Sequence, residues 1–256
     1  MTLQACTEAL REHDPDRFGA VLTAAPEDRP ALITLYALNL EIARTPFQSA
    51  EPMLAEMRLQ WWIDRLAEMG DGTAPPLHDV LTPLWDAWGA RAGDLAALAE
   101  ARRRDCERQA FSSPAQVVSY VQETAGALMW QAALRLGVPE SAREVVADQA
   151  LGAGLAAWLR ALPQLQSLGL GLAGAQESDA RELAGLGRDA LRRAARSRRV
   201  ITRSAAAALY PGPRAAMFLT LAADGKINCF SHNIEITPFQ RRASLAWLAL
   251  TGRWWR

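Results

Sequence analysis

Helical start and stop signals punctuate this chain from end to end, while strict alternation of apolar and polar residues is hard to find. That combination constrains the fold more than any other feature, because side-chain periodicity separates helix from strand. Asp14-Pro15 reads as a cap residue followed by proline at the first helical position. Ser113-Pro114 repeats the signal, and Pro46, Gly70, Gly137 and Pro163 read as stops. The stretches between are filled with Ala, Leu, Arg, Glu and Gln, the strong helix formers. The expected fold class is therefore all-α.

The punctuation predicts helices over 3–12, from Asp14, over 32–43, and from a Ser49 cap with Glu51 in the first turn. Further helices are expected over 77–90 with a bend at Pro83, from Asp94 through Glu107, from Pro114 to Gly137, over 140–162, 178–207, 215–221 and 239–252. Leu54, Met57, Trp61, Trp62, Leu66 and Met69 form one wide apolar face. With 256 residues, half of them hydrophobic, the chain is long enough for one large core. We expect a single-domain helical bundle over 1–256, with 239–256 as a C-terminal helix and Trp/Arg tail. The Gly-rich connector near Gly169 is the only candidate internal boundary, and we do not read it as dividing domains.

A formal net charge of zero argues against a general nucleic-acid binder. Cys6, Cys106 and Cys229 are scattered and odd in number, which suits a reduced cytoplasmic setting. His13, His78 and His232 are equally dispersed, so no metal-ligand spacing is present. No secretory signal and no run of about 18 uncharged apolar residues is visible. Gly169-Leu170-Gly171-Leu172-Ala173-Gly174 matches the dinucleotide-binding pattern, but no predicted strand precedes it, and that site needs strand, turn and helix together.

Five motifs, in order, carry a family resemblance. Asp16-Arg17-Phe18, Ala25-Pro26-Glu27-Asp28-Arg29 and Leu35-Tyr36-Ala37 form the entry. Arg58-Leu59-Gln60-Trp61-Trp62 follows, then Glu100-Ala101-Arg102 with Asp105, then Tyr120 with Ala125-Gly126 and Leu136-Gly137-Val138. Together they resemble the squalene/phytoene synthase family. The resemblance implies the isoprenoid (trans-prenyl) synthase fold. It also implies head-to-head joining of prenyl diphosphates by two Asp-rich motifs on facing helices. Such carboxylates hold Mg²⁺, a hard cation that takes oxygen ligands, and the metal grips the departing diphosphate.

This sequence departs from the family at each of those carboxylates. The first motif falls on Ala43, Arg44, Thr45, Pro46 and Phe47, with Asn39 and Glu41 just before. The second falls on Gly154, Ala157, Arg160, Ala161 and Leu165, and only Arg160 is kept. Asn39-Leu40-Glu41-Ile42-Ala43 and Leu159-Arg160-Ala161-Leu162-Pro163 resemble a divergent branch, the phytoene-synthase-like assembly factors of respiratory complex I.

The expected function is a non-catalytic interaction or assembly factor for a membrane respiratory complex, or an isoprenoid or lipid binder, with no catalytic residue, no metal and no cofactor. The alternative is an active prenyltransferase condensing farnesyl or geranylgeranyl diphosphate with Mg²⁺, for which Glu41, Asp64 and Asp148 are the available acids. A third reading is a metal-free enzyme holding a diphosphate with Arg44, Arg58 or Arg160. Tyr36, Arg58, Trp61, Trp62 and Tyr120 are candidate pocket or ligand contacts; for the tyrosines and tryptophans the competing reading is core packing. Arg160 binds an anion or partner, or pairs with an acid such as Glu41. The Arg-rich stretch Arg181–Arg203 and the tail Trp247, Arg253, Trp254, Trp255 and Arg256 suggest peripheral contact with the inner face of the cytoplasmic membrane. The competing reading is a solvated helix face and a packed C-terminus.

Overall fold

The structure, a computed structural model, describes residues 3–231 and 236–255. Among the described residues it holds thirteen α-helices, short 3-10 turns and no strand beyond one isolated bridge. Chain contacts group into two compact units, Met1–Arg108 and Gln109–Arg256. His232 and Arg256 lie outside the described residues.

The first unit contains α1 (Leu3–His13), α2 (Pro15–Val21), α3 (Arg29–Arg44), α4 (Pro52–Gly70), α5 (Leu81–Trp88), α6 (Ala96–Glu100) and α7 (Arg103–Glu107). Asp14 caps α2 as its sequence requires, accepting from the Arg17 N–H at 3.0 Å. α3 is the unit's central helix: every residue from Ala31 to Leu38 is buried, against α1, α2 and α5. The Trp88 indole N–H donates to the Ala31 carbonyl at 3.0 Å, fixing α5 to it. α3 ends at Arg44, and Pro46 sits in the 3-10 turn Thr45–Phe47 that follows.

Several expectations need correction in this unit. Glu51, not Ser49, is the N-cap residue of α4, because Pro52 takes the first helical position, where a missing N–H loses no bond. The Ser49 hydroxyl instead accepts from the Glu51 N–H at 3.1 Å. α4 buries Ala55, Leu59, Trp62, Ile63, Leu66 and Met69, so Leu54, Met57 and Trp61 of the expected face are exposed. α5 starts at Leu81, which puts Pro83 in its first turn, where no bend is required. The expected helix from Asp94 is broken into a 3-10 turn and the short α6 and α7.

The second unit contains α8 (Pro114–Val121), a π turn (Gln122–Gly126), α9 (Ala127–Arg135), α10 (Arg143–Ser167), α11 (Glu177–Arg196), α12 (Ala215–Ala223) and α13 (Pro238–Thr251). Ser113 caps α8 by accepting from the Gln116 N–H. Val117, Leu155, Leu159, Leu183, Phe218 and Leu219 meet in one core built from α8, α10, α11 and α12. α10 and α11 cross at glycines: a Cβ on Gly152 would lie 2.4 Å from Leu191 Cγ and 2.7 Å from the Gly187 carbonyl oxygen. Pro163 does not stop α10, which runs one turn further so that Leu162 and Leu165 both reach the core. α11 ends at Arg196 rather than near Ala207, and two 3-10 turns, Arg198–Val200 and Arg203–Ala207, replace its expected continuation.

The Gly-rich connector follows α10, not a strand. Gly171 accepts from the Phe111 N–H at 2.7 Å, and the Ala173 N–H donates to the Phe111 carbonyl at 2.8 Å. Through that parallel bridge the segment holds Phe111 against the core, which is a structural role.

Candidate functional site

The residues aligned from sequence with the first motif lie at the end of α3. Asn39, Glu41, Ala43 and Arg44 are half-buried and Phe47 is exposed. Glu41 and Arg44 form an ion pair at 3.9 Å across one helical turn. Arg58 reaches back from α4 and donates to the Gln48 carbonyl at 3.2 Å, tying α4 to the turn that carries Phe47. Asp64 accepts from the Gln60 side chain at 2.6 Å.

The candidate contacts of the first unit separate into two neighbourhoods. Tyr36 is buried with the Arg17 guanidinium 5.5 Å from its ring centroid, and burial pushes its hydroxyl up to about 12. Arg17 is in turn paired with Asp14 at 2.6 Å. Trp61 and Trp62 instead pack on His78, with ring centroids 5.5 and 5.2 Å away. The imidazole Nδ1 accepts from the Val80 N–H at 3.1 Å, and the His78 N–H donates to the Thr82 hydroxyl at 3.0 Å. His78 therefore braces the entry to α5, whose N-cap residue is Val80, and packs on the Trp pair; the helix expected over 77–90 would place it inside the helix.

The residues aligned from sequence with the second motif run along α10. Gly154 is buried, and a Cβ there would lie 2.4 Å from Val121 Cγ1 and 3.0 Å from Ala125 Cβ. Ala157 and Ala161 are exposed, and Leu165 packs on the unit's core. Arg160 donates to the Pro213 carbonyl at 2.9 Å and stacks 4.9 Å over the Phe218 ring. Tyr120 packs edge-on against Phe111 at 5.2 Å, and Phe111 meets Trp158 at 6.0 Å. Phe111 and Trp158, absent from the sequence reading, thus link Tyr120 to the motif helix. Asp148, the acid nearest the motif, is held by Arg193 of α11 through three hydrogen bonds of 2.7 to 3.1 Å.

The structure narrows the membrane-facing segments named from sequence. The apolar face of α11, with Leu183, Ala190, Leu191 and Ala194, is buried within its own unit, leaving only Leu186 exposed. Several of its arginines are neutralised locally: Arg181 by Glu177 at 2.8 Å, Arg188 by Asp189 at 3.1 Å, and Arg193 by Asp148. Trp254 is 2% exposed, so its ring is not available to a lipid surface. Trp255 is half-buried, with the Arg198 guanidinium 5.3 Å from its ring centroid.

No three His, Cys, Asp or Glu side chains among the described residues come together as a metal-holding group. No described helix is long and apolar enough to cross a membrane.

This architecture is the all-α trans-prenyl synthase fold. A dehydrosqualene synthase solved with a ligand matches it with a TM-score of 0.75 over 95% of this chain and 94% of that one, at 13% identity. The squalene synthase TcSQS, also solved with a ligand, gives a TM-score of 0.69 over 98% of this chain and 87% of that one, at 15% identity. The chain belongs to the squalene/phytoene synthase family, whose model matches residues 10–210. It is similar to NADH dehydrogenase (ubiquinone) complex I, assembly factor 6 of Mus musculus, with 26% identity over 162 residues, 62% of this chain and 48% of that protein. The Rattus norvegicus protein of the same name is 26% identical over 166 residues with the same coverage. The chain spans about half the length of the curated relatives it matches.

Proposed function

We propose that this chain is a non-catalytic member of its family that serves as an assembly or interaction factor for a membrane respiratory complex of the complex I type. The observation that carries this reading is the motif face of α10. Gly154, Ala157, Ala161 and Leu165 offer no oxygen ligand, and the space beside Gly154 is filled by Val121 and Ala125. The end of α3 supports it, with Ala43, Arg44 and Phe47 where carboxylates belong. The substitutes are engaged elsewhere: Glu41 with Arg44, Asp64 with Gln60 and Asp148 with Arg193. Such a donor set does not fit Mg²⁺, which requires hard oxygen ligands in a near-octahedral arrangement. The names of the curated relatives support the interaction half of the proposal. An isoprenoid or lipid is the ligand this apolar substitution pattern suits. A cytoplasmic protein, peripheral on the membrane that holds the respiratory complex, is the matching location.

The test is incubation of the purified chain with farnesyl and geranylgeranyl diphosphates and Mg²⁺. We expect no pyrophosphate release. Release with a squalene- or phytoene-type product would establish the prenyltransferase alternative instead. Pull-down from detergent-solubilised membranes is expected to recover respiratory-complex subunits, and recovery of none would remove the assembly role.

A further inference from the structure

We infer that α13 lies flat on an anionic lipid surface through its outer face. The helix is fixed by its own sequence. Thr237 accepts from the Gln240 N–H at 3.2 Å, and Gln240 accepts from the Thr237 N–H at 3.2 Å, a reciprocal capping box. Pro238 takes the first position, and Gly252 closes the other end in the left-handed region at φ 65°.

At about 100° per residue, Phe239, Ala243, Ala246, Trp247 and Leu250 fall on one arc of this helix. All five are exposed, Phe239 at 80%, Leu250 at 75% and Trp247 at 41%. The opposite side holds the helix to its unit: Leu248 is buried, and the Ser244 hydroxyl accepts from the Tyr210 hydroxyl at 2.8 Å. α13 therefore presents a preformed apolar stripe to its surroundings.

Charge selects the occupant. Residues 236–255 include Arg241, Arg242 and Arg253 and no Asp or Glu. Arg242 borders the stripe on one side, and the Arg253 guanidinium lies 5.8 Å from the Trp247 ring centroid. Arg203 adds a guanidinium at the C-terminal end by donating to the Leu250 carbonyl at 2.7 Å. An apolar stripe carrying Trp and Phe, edged by arginines and free of acids, is what an anionic interface attracts. A second copy would set like charges along the edges of the contact. At 14 residues α13 is too short to span a bilayer, which takes about 20, so the geometry is surface contact. The other exposed apolar strip, Met53, Met57 and Trp61 on α4, is interrupted by Glu56, and Asp64 follows it. Its mixed charge selects no such surface. α13 also lies outside residues 10–210, the stretch that the family model matches.

The experiment is flotation of the full chain with phosphatidylcholine vesicles, with and without phosphatidylglycerol. The wild type is expected to float with the phosphatidylglycerol vesicles and to be released by salt. The double variant F239S/L250S is expected to lose about tenfold or more in apparent affinity. R242E/R253E is expected to lose the preference for phosphatidylglycerol. L77S, at an exposed leucine of the first unit, is expected to bind as the wild type does. Thermal midpoints of all variants should match, since the altered side chains are exposed. Wild type that stays unbound, or F239S/L250S that binds undiminished, overturns the inference. Self-association that F239S/L250S abolishes, without vesicle binding, would assign the face to a second copy and overturn it equally. The inference deepens the peripheral location proposed above and is separable from the non-catalytic assembly role, because an active enzyme with this α13 would float as well while releasing pyrophosphate in the diphosphate assay.

Discussion

At the scale of single residues, Gly154 of α10 is a close-packed position, where a Cβ would lie 2.4 Å from Val121 Cγ1. A glutamine side chain at that position does not fit between Val121 and Ala125 as they stand. G154Q is expected to destabilise the protein by about 1–3 kcal/mol through overpacking, read by urea denaturation. V121A in the same chain should recover part of the loss, and a G154Q variant of unchanged stability would contradict the packing argument. Buried acids of ordinarily high pKa make a second prediction. Burial, aided by Asp79, pushes the Cys6 thiol from 9.0 up to about 11, and burial pushes Tyr36 from 10.0 up to about 12. Both are held neutral in the folded state and ionise more readily in the unfolded one. Their contribution is therefore complete below pH 9 and is lost as pH rises through 11 and 12. Thermal midpoints should fall across that alkaline window, and Y36F should flatten its upper part.

At the scale of elements, helix contacts rest on close approach more than on charge. G152A would press a methyl against the Gly187 carbonyl oxygen and Leu191, and is expected to cost about 1–3 kcal/mol. R193A removes a pair between the same two helices, Arg193–Asp148, but that pair is solvent-exposed and should cost about 1 kcal/mol or less. Equal losses in the two variants would refute this ranking. The same contrast explains what the sequence made legible. Caps at Asp14 and Ser113 and the stop ahead of Pro46 are local events, decided by a few side-chain oxygens and a missing N–H, and they were readable. Pro163 was misread because the burial of Leu162 and Leu165 outweighs one lost backbone bond near a helix end. The face of α4 was misread because its alternatives, Leu54 or Ala55 and Met57 or Leu59, differ by the helix's rotation against neighbours distant in sequence. Of the candidate site, only the residue types at the proposed motif positions were legible. Pairings such as Trp61 and Trp62 with His78, or Tyr120 with Phe111, depend on chain packing and were not.

At the scale of the whole molecule, the family match runs through residues 10–210 and so across the boundary between Arg108 and Gln109. We propose that residues 1–256 nevertheless form one folding domain, as the length and the single large core expected from composition suggest. Calorimetry is expected to show one transition whose calorimetric and van't Hoff enthalpies agree. Two separable transitions would make each compact unit a domain of its own.

Trp254 sits beyond the last described helix yet is buried, and Gln149 in the second turn of α10 donates to the Leu209 carbonyl at 2.8 Å and to the Trp254 carbonyl at 3.5 Å. The polypeptide's final described turn is thus a plug. Shortening the chain ahead of Gly252 would remove the buried Trp254 and leave Gln149 with one acceptor fewer. In cells such a truncation would be cleared by quality control. Its phenotype would then mimic loss of targeting or of a partner, so point substitutions on the outer face of α13 are the cleaner genetic tool.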